Sequence, residues 1–290
     1  LRTEGELNGY VNWYTAELSG LTPTDGEITV GVRVSTAPGG WGTIDDISMV
    51  KELEYYGASY RLNGKEEDLF HLLHECGTNM VRIRIWPDPY DEKGNSYGGG
   101  GNDLQTTIEI ARRTVECGMD FMLDFHYSDF WADWKQQKIP NDWENLEAFE
   151  IEKMVYEYTK YVINCFIEQE TVPDIVQIGN EIGNGMLWEF GNINNIKQLV
   201  KFINSGLKAI AEINQYSTNS KKIKTVLHIE CGADKERTKH FFSNLNSEGL
   251  WDFDYVAWGS TEYDDFSTTG WTENSNMWLE RLFEDESFSK

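Results

Sequence analysis

Residues Asp174–Trp188 read Asp-Ile-Val-Gln-Ile-Gly-Asn-Glu-Ile-Gly-Asn-Gly-Met-Leu-Trp, and this stretch is the most informative one in the chain. Its apolar, β-branched beginning predicts a buried strand of a parallel sheet. The run stops at Gly179, and an amide and a carboxylate follow at Asn180 and Glu181. In a (β/α)8 barrel, catalytic groups lie at the carboxyl ends of the strands. The stretch therefore predicts a barrel strand with functional side chains at its tip.

Strands alternate with amphipathic helices from about Lys51 onward. Repeated βα units of this length imply a parallel sheet with right-handed crossovers. We predict helices at Asp68–Cys76, Asp103–Cys117, Ile151–Gln169, Ile196–Ile213, Lys235–Ser247 and Ser275–Phe283, and strands at Asn79–Trp86, Asp120–His126, Asp174–Gly179, Lys224–Ile229 and Phe253–Trp258.

The expected α/β fold is a (β/α)8 TIM barrel over residues 44–290. With Ile44–Ser48 as a first strand, at most six strands can be counted, whereas a closed barrel has eight. We therefore expect the barrel to be incomplete at its C-terminus. Residues 1–43 form a separate short all-β segment, because alternating stretches such as Glu27–Val34 are separated by Pro, Gly and Asp turns.

Composition narrows the class of ligand. The net charge of −24 repels phosphate backbones, so nucleic-acid binding is excluded and a neutral substrate is favoured. The chain has 11 Trp, 14 Tyr and 14 Phe, of which most pack in the core and some suit the C–H faces of pyranoses. The expected partner is therefore a neutral polysaccharide.

Some classes of site and location are not indicated. The four cysteines are far apart and show no C-x-x-C spacing, so we expect no zinc site, no other metal and no cofactor. No run of 18 apolar residues predicts a membrane span. The chain opens on Leu1 and shows no signal peptide, although a polysaccharide-degrading protein is expected to be secreted.

The strand predicted at Asn79–Trp86 carries two arginines near its carboxyl end. Alternation with period two places Arg82, Arg84 and Trp86 on one face. Buried arginines are costly unless they are paired with carboxylates. They either form an ion pair that organises the barrel or hold an active-site carboxylate in its ionised form, and their position at the strand end favours the second.

Two further strand ends carry candidate substrate contacts. Asp124 and His126 share one face, and the aromatic residues that follow favour a sugar cleft over an ordinary buried histidine. His228 either lines that cleft or caps the barrel. The aromatic candidates for substrate contact are Tyr127, Trp131 and Trp188.

Glu181 is the strongest catalytic candidate. A glutamic acid of raised pKa can protonate a glycosidic oxygen and later activate water. The preceding Asn180 can bond the 2-hydroxyl of the sugar, a contact that strengthens in the transition state.

From about Asp46 to Asp254 the chain resembles the endo-β-1,4-galactanases, or arabinogalactan galactosidases, of glycoside hydrolase family 53. The matching segments are Asn63–Phe70, Asn79–Trp86 with Asp88–Tyr90, Tyr97–Gly100 with Asn102–Leu104, Leu123–Asp133 and Pro173–Trp188. The resemblance implies a retaining barrel enzyme acting on β-1,4-galactan of plant pectin. It also implies that Glu181 is the acid/base, Asn180 its sugar-binding neighbour, and Arg82 the arginine near the nucleophile.

The chain departs from the family pattern beyond the sixth predicted strand. The family's nucleophile is a Glu at the end of the seventh strand, and no matching segment precedes Lys290. Residues Trp258–Phe266 do not match the Ser-Tyr-Tyr-Pro type of run that follows the family's sixth strand. Glu230 or Glu262 could be imagined as a substitute, but both are disfavoured.

Two alternatives follow. The chain could be an inactive or truncated carbohydrate-binding fragment, or another clan member such as a mannanase or xylanase, which the matches at Tyr97–Asn102 and Trp131–Trp134 disfavour. The segment 1–43 resembles the closing strands of a β-sandwich carbohydrate-binding module. An ordinary β-rich extension is the alternative for that segment.

Overall fold

The computed structural model describes residues 50–258 apart from 56, 63, 98–100, 217–220 and 231–233. Four predictions fall outside the described residues: the β-rich segment 1–43, the first strand at Ile44–Ser48, the substitute nucleophile Glu262 and the helix at Ser275–Phe283.

The described chain begins with helix α1 (Val50–Tyr55) and an antiparallel hairpin of β1 (Tyr60–Leu62) and β2 (Lys65–Glu67), which the sequence patterns did not predict. Strands and helices then alternate. They are α2 (Leu69–Glu75), β3 (Met80–Ile85), α3 (Leu104–Glu116), β4 (Asp120–Phe125), α4 (Ala148–Glu168), β5 (Ile175–Ile178), α5 (Ile196–Tyr216), β6 (Lys224–Ile229), α6 (Lys235–Ser247) and β7 (Tyr255–Trp258).

The five strands β3 to β7 form one parallel sheet in sequential order. Each strand pairs with the next one along the chain, and one α-helix lies between each pair of strands. This sequential order of βα units is that of the (β/α)8 barrel, so the predicted fold class is confirmed, and each predicted helix and strand within the described residues is present.

Aspartates begin several of the helices because their carboxylates accept backbone N–H groups that the first turn leaves unpaired. Asp68, Asp103 and Asp234 cap α2, α3 and α6 in this way. At α4 the side chains of Glu147 and Glu150 form a reciprocal capping box. These caps fix the residue at which each helix begins.

The core lies between the sheet and its helices. The last three residues of both β3 and β4 are buried, because one face packs on helices and the other faces the barrel interior. Phe121 and Phe166 pack against each other between β4 and α4 with ring centroids 5.7 Å apart. No helix in the described part of the chain is long and apolar enough to cross a membrane.

Candidate active site

A buried polar layer spans β3, β4 and β5 inside the barrel. The register pairs Arg84 with Asp124 and Asp124 with Gln177, so polar side chains of neighbouring strands lie side by side. Arg82 Nη2 lies 2.7 Å from Asp124 Oδ2 and also donates to Gln177 Oε1 at 3.0 Å. Gln177 Nε2 donates to Asp124 Oδ1 at 2.5 Å. The layer thus joins three strands through one carboxylate.

Asp124 is ionised in this layer. Its complete burial opposes ionisation, but the charge of Arg82 and the contact with His126 outweigh that cost and hold the pKa of Asp124 below its usual range. His126 Nδ1 accepts the N–H of Ala132 at 3.1 Å. Its proton therefore lies on Nε2, which donates to Asp124 Oδ2 at 3.2 Å. Burial lowers the pKa of His126, although Asp124 opposes the shift.

Asn180 connects the polar layer to the loop that follows β4. Its Oδ1 accepts from Arg82 Nη2 at 2.8 Å, which fixes the orientation of the amide, and its Nδ2 donates to the carbonyl of Ala132 at 2.8 Å. His228 Nδ1 lies 2.6 Å from the same Oδ1. Because Oδ1 is an acceptor, His228 must carry its proton on Nδ1. That tautomer excludes the N–H of Glu181, 3.3 Å away, as a donor to Nδ1.

Glu181 stands on a tight turn immediately after β5. Gly179 and Glu181 both have left-handed backbones, with φ of 78° and 48°. For a residue other than glycine this conformation costs about 1–3 kcal/mol, and such strain collects at functional sites. The N–H of Trp134 donates to Glu181 Oε2 at 3.3 Å and directs the carboxyl group toward the loop after β4.

The surroundings of Glu181 favour its protonated form. Burial raises the pKa of Glu181, and the charges of Glu230 and Asp133 raise it further, while the Trp134 N–H and Arg82 oppose the rise. A carboxyl group that keeps its proton and remains half-buried at a strand tip is able to act as a general acid.

Glu230 follows β6 and is almost completely buried. Its carboxylate pairs with the guanidinium of Arg237 on α6 and accepts the N–H of Gly183 at 3.1 Å. Burial raises the pKa of Glu230, and the Arg237 charge opposes that rise. Both oxygens are therefore engaged, which argues against Glu230 as the substitute nucleophile.

The predicted aromatic contacts divide into two groups. Trp131 and Trp188 are half-buried, and the guanidinium of Arg84 lies 3.7 Å from the ring centre of Trp131. Trp188 Nε1 donates to the carbonyl of Asn184 at 3.1 Å. Trp86, in contrast, is fully buried, so it supports Trp131 (ring centres 5.9 Å apart) instead of offering a face to a sugar.

Tyr127 lies away from the cleft that we predicted it would line. It is buried, stacks on Phe125, and its hydroxyl is 2.8 Å from Thr159 Oγ1 of α4. The physical reason is its left-handed backbone, φ 51°, which ends the strand alternation and turns the side chain toward the helix layer. Tyr127 is therefore a packing residue between strand and helix.

Three side chains and one backbone N–H group that contribute to the site were not predicted from the sequence. Gln177 is a polar residue inside an apolar strand, and that interruption was an available signal. Gln137 donates from Nε2 to the carbonyl of Asn180 at 2.8 Å, and nothing in its local sequence marks it. Trp134 offers its backbone N–H, and Phe130 supports Trp86 at 5.6 Å between ring centres.

Among the described residues, no group of three or more His, Cys, Asp or Glu side chains could hold a metal ion. The described strand tips carry carboxyl, amide, imidazole and aromatic side chains.

A parallel barrel with an Asn-Glu pair at a strand tip, in which the Glu has a raised pKa, and with aromatic side chains beside it, has the architecture of the barrel glycoside hydrolases. The chain belongs to glycosyl hydrolase family 53, whose family model matches residues 43–282.

Relatives of known name agree with this family. The endo-β-1,4-galactanase of Bacillus subtilis (strain 168) is 44% identical over 171 residues, covering 58% of this chain and 39% of that protein. An arabinogalactan endo-β-1,4-galactanase A of Aspergillus niger is 34% identical over 220 residues, covering 75% and 59%. The chain thus spans about half the length of the curated relatives it matches.

A solved structure shows the same fold. The family 53 catalytic domain of Ignisphaera aggregans superposes with a TM-score of 0.68 at 37% identity, covering 73% of this chain and 57% of that one. A structure reported for fungal β-1,4-galactanases gives a TM-score of 0.65 at 32% identity, covering 73% and 61%.

Proposed function

We propose that this protein hydrolyses internal β-1,4-galactosidic bonds of galactan or arabinogalactan by a retaining mechanism, with Glu181 as the acid/base. The observation that carries the proposal is the environment of Glu181: a strand-tip carboxyl group with a raised pKa, half-buried beside Trp134. The names of the similar galactanases support the choice of substrate.

In the first step, Glu181 gives its proton to the glycosidic oxygen, while a nucleophilic carboxylate bonds to the anomeric carbon and the bond to the leaving sugar breaks. In the second step, the Glu181 carboxylate takes a proton from the water that attacks the anomeric carbon, and the bond between the sugar and the nucleophile breaks. A retaining enzyme needs a second carboxylate about 5–5.5 Å away as nucleophile. We assign that role to none of the described residues, because Asp124 is sealed in the polar layer and Glu230 is bonded to Arg237 and Gly183.

Asn180 suits the proposed contact with the sugar 2-hydroxyl. Arg82 and His228 both point donors at its Oδ1, so the amide is locked with Nδ2 outward to Ala132. An amide nitrogen carries two protons, and the second can be offered to a hydroxyl oxygen. Arg82 therefore acts on the substrate through Asn180 in this proposal.

Trp131 and Trp188 are the proposed stacking surfaces for galactose rings, because both are half-buried near the strand tips. His126 accepts the backbone N–H of Ala132 and so fixes it, while Asp124 holds His126 in place. Arg84 supports the Trp131 ring. The net charge of −24 suits a neutral polymer. Because galactan lies outside cells, export of the protein is part of the proposal.

The test is release of reducing ends from β-1,4-galactan by the full chain, together with binding of the same polymer by affinity electrophoresis. Glu181→Gln should lower turnover by at least about a hundredfold and leave binding largely intact, since the amide keeps the shape but cannot give a proton. Glu212→Gln, on the outer face of α5 where Glu212 pairs with Lys160, is the matched control.

Two outcomes would overturn parts of the proposal. Galactan binding without any product from the wild-type chain would indicate a carbohydrate-binding protein and remove the hydrolase assignment. Normal turnover by Glu181→Gln would remove Glu181 from the acid/base role while leaving the substrate assignment in place.

A further inference from the structure

We propose that Glu230 and Arg237 form a positioning pair that holds the turn after β5 in place and thereby aims Glu181. The inference rests on the proposed function in one respect, since the acid/base role of Glu181 is part of that proposal. The contacts that carry it are independent of catalysis.

The first contact acts directly on the turn. Glu230 Oε2 accepts the N–H of Gly183, two residues after Glu181, at 3.1 Å. The Gly183 backbone and the Glu230 side chain are so close that a Cβ on Gly183 would lie 2.5 and 2.6 Å from the two oxygens of Glu230. A buried carboxylate that occupies this space needs a cation, and Arg237 of α6 supplies it.

The second contact joins the pair to the loop after β4. Arg237 Nη2 lies 3.5 Å from Asn184 Oδ1, and Asn184 Nδ2 donates to the carbonyl of Trp134 at 2.9 Å. The N–H of that same Trp134 donates to Glu181 Oε2. A continuous chain of hydrogen bonds therefore runs from α6 through the Glu181 turn to the carboxyl group itself.

The charge of Glu230 has a second effect on Glu181. The charged groups that act on the Glu181 carboxyl are Glu230, Asp133 and Arg82. His228 on β6 is neutral, because burial lowers its pKa to about 3. The charge of Glu230 thus contributes to the raised pKa of Glu181, in addition to the contact that fixes its backbone.

The same contacts define what Glu230 does in the site. A nucleophile must have an oxygen free to approach the anomeric carbon. Glu230 directs one oxygen to Gly183 and the other to Arg237, at the base of the turn. Its role is therefore to act through Glu181 and not on the sugar.

The primary experiment measures the titration of the Glu181 carboxyl directly. The full chain is labelled with side-chain ¹³C in glutamate, and the Glu181 signal is identified by its loss in Glu181→Gln. In Glu230→Gln the Glu181 signal should titrate at lower pH than in wild type, because a negative neighbour is removed and Arg237 is left uncompensated. Arg237→Gln should move the titration in the opposite direction.

Kinetics provide the second measurement. On β-1,4-galactan, Glu230→Gln should lower kcat by about tenfold to a hundredfold with little change in KM, because it misplaces the acid without removing a sugar contact. The alkaline limb of the pH profile should move to lower pH. Glu230→Asp, which keeps the charge on a shorter stem, should recover part of the activity.

The control is Glu212→Gln, which removes a carboxylate paired with Lys160 far from the strand tips and should leave the Glu181 titration unchanged. An unchanged Glu181 titration in both Glu230→Gln and Arg237→Gln would overturn the positioning pair. If the wild-type protein does not cleave galactan, the proposed function is wrong. The NMR titration would still show whether Glu230 and Arg237 act on Glu181. If Glu230→Gln does not fold, the titration of Glu181 in Arg237→Gln tests the same proposal.

Discussion

Asp124 lies in β4 and Glu181 follows the neighbouring strand β5, yet the structure shifts their pKa values in opposite directions. Asp124 is completely buried, but contact with Arg82 and His126 holds its pKa below the usual range. Glu181 is less buried, and its burial together with the charges of Glu230 and Asp133 raises its pKa. Burial alone therefore does not decide which carboxyl keeps a proton; the contacting charge decides.

The two carboxyl groups also stand on different backbones. Asp124 belongs to a regular strand, paired in register with Arg84 and Gln177. Glu181 stands just beyond its strand in a left-handed conformation. Regular strand pairing keeps Asp124 within the ionic layer. The strained turn places the Glu181 carboxyl group outside that layer. The difference separates a structural carboxylate from a candidate catalytic one.

The substitution with the largest expected effect on stability is Asp124→Asn. Removing the charge leaves Arg82 without its buried partner, and we expect a loss of about 3 kcal/mol in the free energy of unfolding, at the low end for a buried pair because Arg82 is 22% exposed. Glu181→Gln should stay within about 1 kcal/mol of wild type. Urea unfolding followed by tryptophan fluorescence measures both. Equal losses would mean that the two carboxyl groups are equivalent.

The order of the strands and helices was predictable because it depends on local patterns. The bounds of β6 and α6 match the prediction residue for residue, since apolar alternation and helical periodicity are both short-range signals. The Asn180-Glu181 tip was predictable for the same reason. The hairpin at Tyr60–Glu67 was not, because its strands are only three residues long and are rich in charge.

The contacts inside the barrel could not be predicted from local patterns. Arg82 and Gln177 are bonded across 95 residues, and only the strand register brings them together. The sequence left two roles open for Arg82, and the structure shows it bonded to both Asp124 and Asn180. The burial of Tyr127 depended on a backbone angle that strand alternation does not reveal.

Gly183→Ala should disturb the Glu181 turn and leave the Asp124 layer unchanged. The new methyl group would lie within 2.6 Å of both Glu230 oxygens, and Arg237 restrains their movement. We expect a loss of about 1–3 kcal/mol in stability, as for other overpacked sites, together with reduced turnover on galactan. Unfolding and activity assays measure the two effects.

The control for this substitution is Gly94→Ala in the loop after β3. No atom lies within 4 Å of its new Cβ, but its φ of 79° makes alanine strained. It should lose stability through strain alone and keep normal turnover. A Gly183→Ala protein with wild-type stability and turnover would show that Glu230 does not press on the turn.

The last predicted effect is a dependence of stability on pH, and it concerns His228, which bonds to Asn180 between the two regions. Burial lowers the pKa of His228 to about 3 from an ordinary 6.5. Between these values the unfolded chain binds a proton that the folded protein does not, so folding stability falls as the pH is lowered through this window. Glu181 and Glu230 have raised pKa values and act with the opposite sign, losing their contribution as the pH rises through their folded pKa values.

His228→Asn isolates that contribution, because an asparagine amide can still donate to Asn180 Oδ1 but does not titrate. Between pH 6.5 and pH 3, the stability of the variant should fall less steeply than that of wild type, by up to about 1.4 kcal/mol per pH unit. Urea unfolding at a series of pH values gives both slopes. Parallel slopes would mean that His228 gains its proton in the folded protein as readily as in the unfolded chain. The burial of His228 would then not be what keeps it neutral in the folded protein.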